Sequence, residues 1–146
     1  MIRDDRTMLD RLLSAIAKKS EIQVGILDKG LGKHSDDEFT VARLAEIHEF
    51  GLGVPQRSFI RGWYDARSKA LTDAALGLYR SEYESTGAFE SVPAKLSQAF
   101  AADCQNRVRS GWSYPDISDE TKSRKESSTP LIDTGVLVAS ITGAAK

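Results

Sequence analysis

The pattern of apolar and polar positions predicts an amphipathic helix near the start of the chain, followed by a strand. Over Asp4–Lys19, apolar residues recur every three or four positions, as one face of a helix requires; they are Met8, Leu9, Leu12, Leu13 and Ile16. Over Glu21–Leu27, Ile22, Val24 and Ile26 alternate with polar residues or glycine, which is typical of a strand with one apolar face. We expect the helix to lie across that apolar face.

Three more helices are predicted in the middle of the chain. The first covers Thr40–Phe50 and ends at Gly51, because glycine favours the left-handed conformation that closes a helix. The second covers Ser58–Ser85, and the third covers Phe89–Arg109 with Pro93 in its first turn, where a missing amide is tolerated. Their predicted inner faces are mostly apolar: Val41, Leu44, Ala45, Ile47 and His48 in the first; Phe59, Ile60, Trp63, Tyr64, Arg67, Leu71, Ala74, Ala75, Leu78 and Tyr79 in the second; Val92, Leu96, Ala99, Phe100, Cys104 and Val108 in the third.

A short helix and a short strand are predicted near the C-terminus. Asp133 or Thr134 can cap a helix over Gly135–Ser140. The side chains that we expect this region to present to the core are Val136, Leu137 and Ile141. A strand over about Ser140–Gly143 is expected to pair with the first strand. Because a two-stranded sheet is marginal alone, either the helices carry most of the core or a neighbouring subunit adds strands or contacts.

Two polar segments separate these elements. Residues 28–38 form a loop rich in glycine and charge, which we expect to be flexible. It is either a solvated connection or a segment that becomes ordered on a neighbouring subunit, and the sequence favours neither. Residues 113–130 form an irregular polar segment without a predicted buried face.

Length and composition favour one soluble α+β domain. The chain has 146 residues, of which 40% are hydrophobic and 28% charged, so we expect a single domain over residues 1–146. The fold class that the elements predict is helix-rich α+β, with a small antiparallel sheet packed by the N-terminal helix and two long helices. The net charge of -1 argues against a dedicated nucleic-acid binder. No apolar run approaches the roughly 18 residues of a membrane span, so we expect no membrane partner.

The sequence offers no recognisable catalytic, cofactor-binding or metal-binding constellation. The two histidines, His34 and His48, have no HExxH or Cys/His pattern around them. The one cysteine, Cys104, falls on a predicted inner helix face, where a buried cysteine behaves as a small apolar residue. Nucleophile-elbow, P-loop and dinucleotide motifs are absent from the sequence. We therefore expect no enzymatic activity and no cofactor.

Three segments together resemble the virion-morphogenesis and tail-completion proteins of tailed bacteriophages. VARLAEIHEFGLGVPQRSFIRGWYDAR, at Val41–Arg67, is similar to the family's short helix, brief loop and start of a long helix. PLIDTGVLVASI, at Pro130–Ile141, resembles a segment near the C-terminus of the same proteins. IQVGIL, at Ile22–Leu27, stands where the family has a strand. The order and spacing of the segments make the resemblance more specific than any one of them does alone.

The resemblance implies a structural protein of the virion neck. A ring, expected from the family to contain six copies, would join tail to head after assembly in the host cytoplasm. Its partners would be copies of itself and neighbouring neck proteins, such as a stopper or adaptor and the tail terminator or tail tube. DNA would only pass through. The structural or interface residues that the motifs imply are Glu49, Gly51, Pro55, Arg57, Phe59, Asp133, Thr134, Gly135, Leu137 and Ile141.

The residues of the first motif also have a physical interpretation. Gly51 and Pro55 predict a tight connection that fixes the angle between two helices. Phe59 is predicted to anchor this junction in the core. Arg57 and Glu49 are placed to form an ion pair, either within the subunit or across an interface.

Three other functions compete with that of a ring subunit. A tail terminator, which caps the tail tube, shares the size and general architecture and is the main alternative. A small DNA-processing enzyme could use the acidic residues Asp36, Asp37 and Glu38, but these have no partnered base in the sequence. A DNA-binding regulator is disfavoured by the net charge.

Overall fold

A computed structural model of the chain describes Asp10, residues 20–27, residues 40–111, Ser123 and residues 135–146. In chain order, the elements are β1 (Ile22–Gly25), α1 (Val41–Phe50), α2 (Ile60–Thr86), α3 (Val92–Arg109), α4 (Val136–Ala139) and β2 (Thr142–Ala145). The predicted fold class is confirmed, because the described chain is helix-rich and carries one small antiparallel sheet. No helix within these ranges is long and apolar enough to span a membrane.

Several predictions fall outside the described residues. Of the predicted N-terminal helix, Asp10 is described, and it is helical and exposed. The packing of that helix on β1, the loop at residues 28–38 and most of the polar segment at residues 113–130 lie outside. The two predicted capping residues, Asp133 and Thr134, also lie outside the described part of the chain.

Helix α1 begins and ends as its sequence predicts. The Thr40 side chain caps its start by accepting a hydrogen bond from the backbone nitrogen of Arg43 at 3.2 Å. Gly51 ends the helix with φ +70°, and its N–H donates to the carbonyl of Ile47. A Cβ at Gly51 would also lie 2.9 Å from the Cβ of Gln56. Glycine is therefore required here both by backbone conformation and by space.

Helices α2 and α3 form an antiparallel pair joined by a turn at Gly87, which has φ +70°. Lys95 bonds to Glu82 at 2.7 Å near the turn, while Asp103 bonds to Arg67 at 2.8 Å farther away, so the two helices run in opposite directions. Phe89 stacks on Tyr83 inside the turn, with ring centroids 4.9 Å apart.

The solvent face of α2 carries a row of ion pairs between residues one helical turn apart. Arg61 lies 3.8 Å from Asp65, Lys69 lies 2.7 Å from Asp73, and Arg80 lies 2.9 Å from Glu84. The sequence predicted an inner face for α2 that is too broad, since Tyr64 and Ala74 are exposed; on α3, Ala99 is exposed as well. A long helix packed mainly on one neighbour can bury a narrower stripe than its apolar pattern allows.

The two strands lie on α3 and pair in antiparallel register, with Val24 opposite Gly143. A Cβ at Gly143 would overlap the backbone carbonyl of Ser97, so β2 approaches the α3 backbone more closely than any other residue type would permit. Gln105 of α3 donates to the carbonyl of Ile141 at 2.8 Å and fixes the entry to β2. The predicted strand pairing is confirmed, although β2 begins two residues later than predicted.

The core lies where α1, α2, α3 and α4 meet. Its buried members are Val41, Ala45, Phe59, Trp63, Leu71, Cys104, Val108, Leu137, Val138 and Ile141. The prediction for Val136 was wrong, because it is 39% exposed and Val138 is buried in its place. Residues three and four positions apart lie on the same face of a helical turn. Leu137 and Val138 precede Ile141 by four and three positions, so they share the face of Ile141.

Candidate assembly surface

The last turn of α1 supplies the cap for α2. The carboxylate of Glu49 accepts hydrogen bonds from the backbone nitrogens of Ile60 and Arg61, both at 3.0 Å. It also accepts from the hydroxyl of Ser58 at 2.7 Å. The first N–H groups of a helix have no partner within the helix and favour a negative charge. Glu49 satisfies two of them from the preceding helix, which ties α1 to α2 at a defined angle.

The loop between the two helices returns to α1 through further hydrogen bonds. The backbone nitrogen of Arg57 donates to the carbonyl of His48 at 2.8 Å, and the side-chain amide of Gln56 donates to the carbonyl of Glu49 at 3.0 Å. Leu52 donates to the carbonyl of Ile47 at 2.9 Å. Three of the last four carbonyls of α1 are therefore satisfied by its own loop.

Within the described residues, no salt bridge joins Glu49 to Arg57, and the carboxylate of Glu49 accepts hydrogen bonds at the start of α2. Arg57 is buried, and its guanidinium donates to the carbonyl of Pro55 at 3.5 Å. The sequence correctly placed the two residues at one junction. It did not indicate that a glutamate eleven residues before Ile60 would act as a helix cap.

The two sequence motifs meet in the core. Phe59, from the first motif, is fully buried, and Leu137 and Ile141, from the second, belong to the same cluster. Helix α1 also contacts α4 directly. Gly135 precedes α4 with φ +80°, a conformation that suits glycine, whereas Pro55 is exposed on the surface of the junction.

Large apolar side chains remain exposed next to this junction. Phe50 is 65% exposed at the end of α1, and Leu52 in the following loop is about half exposed. Phe50 lines a shallow cleft of about 380 Å³ between α1 and α2, where its neighbours include Ala45, Ile60 and Tyr64. Contiguous exposed apolar surface of this kind is typical of protein–protein contacts.

A second apolar depression, which we call the trough, lies between β1 and α2. Its volume is about 490 Å³. Ile22 and Val24 form one wall, Tyr64 and Leu76 belong to the opposite wall, and Phe100 of α3 also contributes. Tyr64 is 57% exposed and Leu76 is 64% exposed. None of the residues that line the trough is charged.

One polar cluster ties α2 to α3. The carboxylate of Asp103 accepts from the indole of Trp63 at 2.7 Å and from two nitrogens of Arg67 at 3.2 and 2.8 Å. Burial alone would raise the pKa of Asp103, but the hydrogen bonds from Arg67 and Trp63, together with the positive charges of Arg67 and Arg107, outweigh burial and hold the pKa below its ordinary value. These three hydrogen bonds join α2 to α3 through the Asp103 carboxylate.

The thiol of Cys104 is buried in the core. Burial, with the nearby carboxylates of Asp103 and Glu49, raises the pKa of Cys104 to about 12. A nucleophilic cysteine requires the thiolate, so the predicted packing role is the one that its environment supports. Within the described ranges, no group of three or more histidine, cysteine, aspartate or glutamate residues could hold a metal ion.

Sequence reasoning missed the exposure of Tyr64 and Leu76 and the role of Asp103. Tyr64, Ser68, Thr72 and Leu76 follow one another at intervals of four residues. That mixed row is a signal of a half-exposed face, because a core face would not carry two hydroxyl groups. Asp103 stands beside Cys104 on an otherwise apolar helix face, and a carboxylate in that position requires a partner.

The chain matches no protein-family model, no curated protein and no solved structure.

Proposed function

We propose that this chain is a structural, non-enzymatic subunit of a phage neck, which assembles into a ring that joins tail to head and lets DNA pass. One observation carries the proposal. The two segments that resemble the tail-completion family, Val41–Arg67 and Pro130–Ile141, pack against each other in their described parts, through α1, α4 and Phe59. The two segments are distant in sequence but contribute to one core. This supports the interpretation that both belong to the same family pattern.

The rigidity of the α1–α2 junction supports a role in assembly. A head-to-tail interface closes into a ring only when each copy is rotated by the same angle relative to the last. Glu49 fixes the angle between α1 and α2 through three hydrogen bonds. A subunit with this junction would present the same surface in every copy.

The exposed side chains beside the junction offer a contact surface for such an assembly. Phe50 and Leu52 protrude from the region that the bonds of Glu49 hold in place. Aromatic and large apolar side chains are enriched where protein interfaces are most strongly buried. We expect a neighbouring neck subunit to cover them.

The proposal is tested in the phage that encodes the chain. Deletion of its gene should leave filled heads and complete tails that do not join, as counted by electron microscopy. A cryo-EM map of the intact neck should show six copies in a closed ring next to the head-proximal end of the tail. A dimer or an unclosed arrangement in that map would contradict the ring. If the protein is instead found on the end of the tail tube in tails that have not been joined to heads, it is a tail terminator.

A further inference from the structure

We draw no further inference here: the strongest candidate, the apolar cleft between α1 and α2 beside Phe50, carries none, because nothing in the described part of the chain shows what covers it.

Discussion

The carboxylate of Glu49 lies 3.0 Å from the backbone nitrogen of Ile60, so a residue in the last turn of one helix caps the first turn of the next. Replacement by alanine removes the acceptor for three hydrogen bonds and leaves the start of α2 unsatisfied. We expect Glu49→Ala to lower the free energy of unfolding by about 1–2 kcal/mol, measured by urea denaturation. Glu46→Ala, which removes only an exposed ion pair with Arg43, is the matched control and should change it by less than about 0.5 kcal/mol.

Phe59 is predicted to be a determinant of folding. Its side chain is fully buried among the core residues, so Phe59→Ala leaves a large cavity. The expected loss is about 3–5 kcal/mol in the free energy of unfolding, seen as a fall in Tm. Phe50→Ala is the control with the same chemistry at an exposed position, and its effect should be below about 0.5 kcal/mol. If Phe59→Ala kept its Tm and blocked only the joining of heads to tails, Phe59 would be an interface residue.

Gly143 is predicted to tolerate no side chain. The methyl group of Gly143→Ala would overlap the backbone carbonyl of Ser97, so β2 would have to move away from α3. We expect a loss of about 1–3 kcal/mol or more, measured by chemical denaturation. Gly77→Ala adds the same methyl group to α2, where no atom lies within 4 Å. That control should be neutral or stabilising by up to about 1 kcal/mol, because alanine is the better helix former. Equal effects of the two substitutions would contradict the close approach of β2 to α3.

The Asp103 cluster predicts a dependence of stability on acid pH. The pKa of Asp103 is held below its ordinary value of 3.8 in the folded chain, so its carboxylate contributes stability above that value. The contribution should be lost as pH falls from 3.8 through the lower pKa of the folded state. In urea denaturation at a series of pH values, Asp103→Asn should be less stable than wild type at neutral pH and should show a smaller loss in this acid range. Parallel curves for the two proteins would show that Asp103 does not titrate as inferred.

Cys104 is predicted to be unreactive in the folded chain. Its pKa is raised to about 12 and its side chain is buried, so little thiolate is present at neutral pH. A chromogenic disulfide reagent should label no thiol in the native protein and one thiol in denaturant. Rapid labelling of the native protein at neutral pH would show that the core around Cys104 opens readily.

The elements of this fold could largely be predicted from the sequence, because their signals are local. Gly51 and Gly87 mark two helix ends, and Ile22 and Val24 mark a strand by alternation. The relations between elements could not be predicted in the same way. The cap from Glu49 to α2, the bond from Trp63 to Asp103 and the contact of Gly143 with Ser97 each depend on the angle between two elements. No local pattern encodes that angle.

The candidate surfaces were less predictable than the core. Val136 and Val138 have identical side chains, and only their positions on α4 decide which of them is buried. Tyr64 was placed on the inner face because its spacing suits a buried stripe, yet its side chain is 57% exposed while that of the neighbouring Trp63 is buried. The exposure of an apolar residue depends on whether another element packs against it. The sequence of a single element does not contain that information.

The row of ion pairs on the outer face of α2 has an electrical consequence. Helix α2 carries four basic and four acidic side chains, so its formal charge sums to zero. In three of its ion pairs the opposite charges lie 2.7–3.8 Å apart, well inside the screening length of about 8 Å at physiological salt. Each pair is therefore a small dipole whose field fades within the first layers of water. A long polyanion that moves past at a greater distance would therefore be neither strongly attracted nor strongly repelled by this helix.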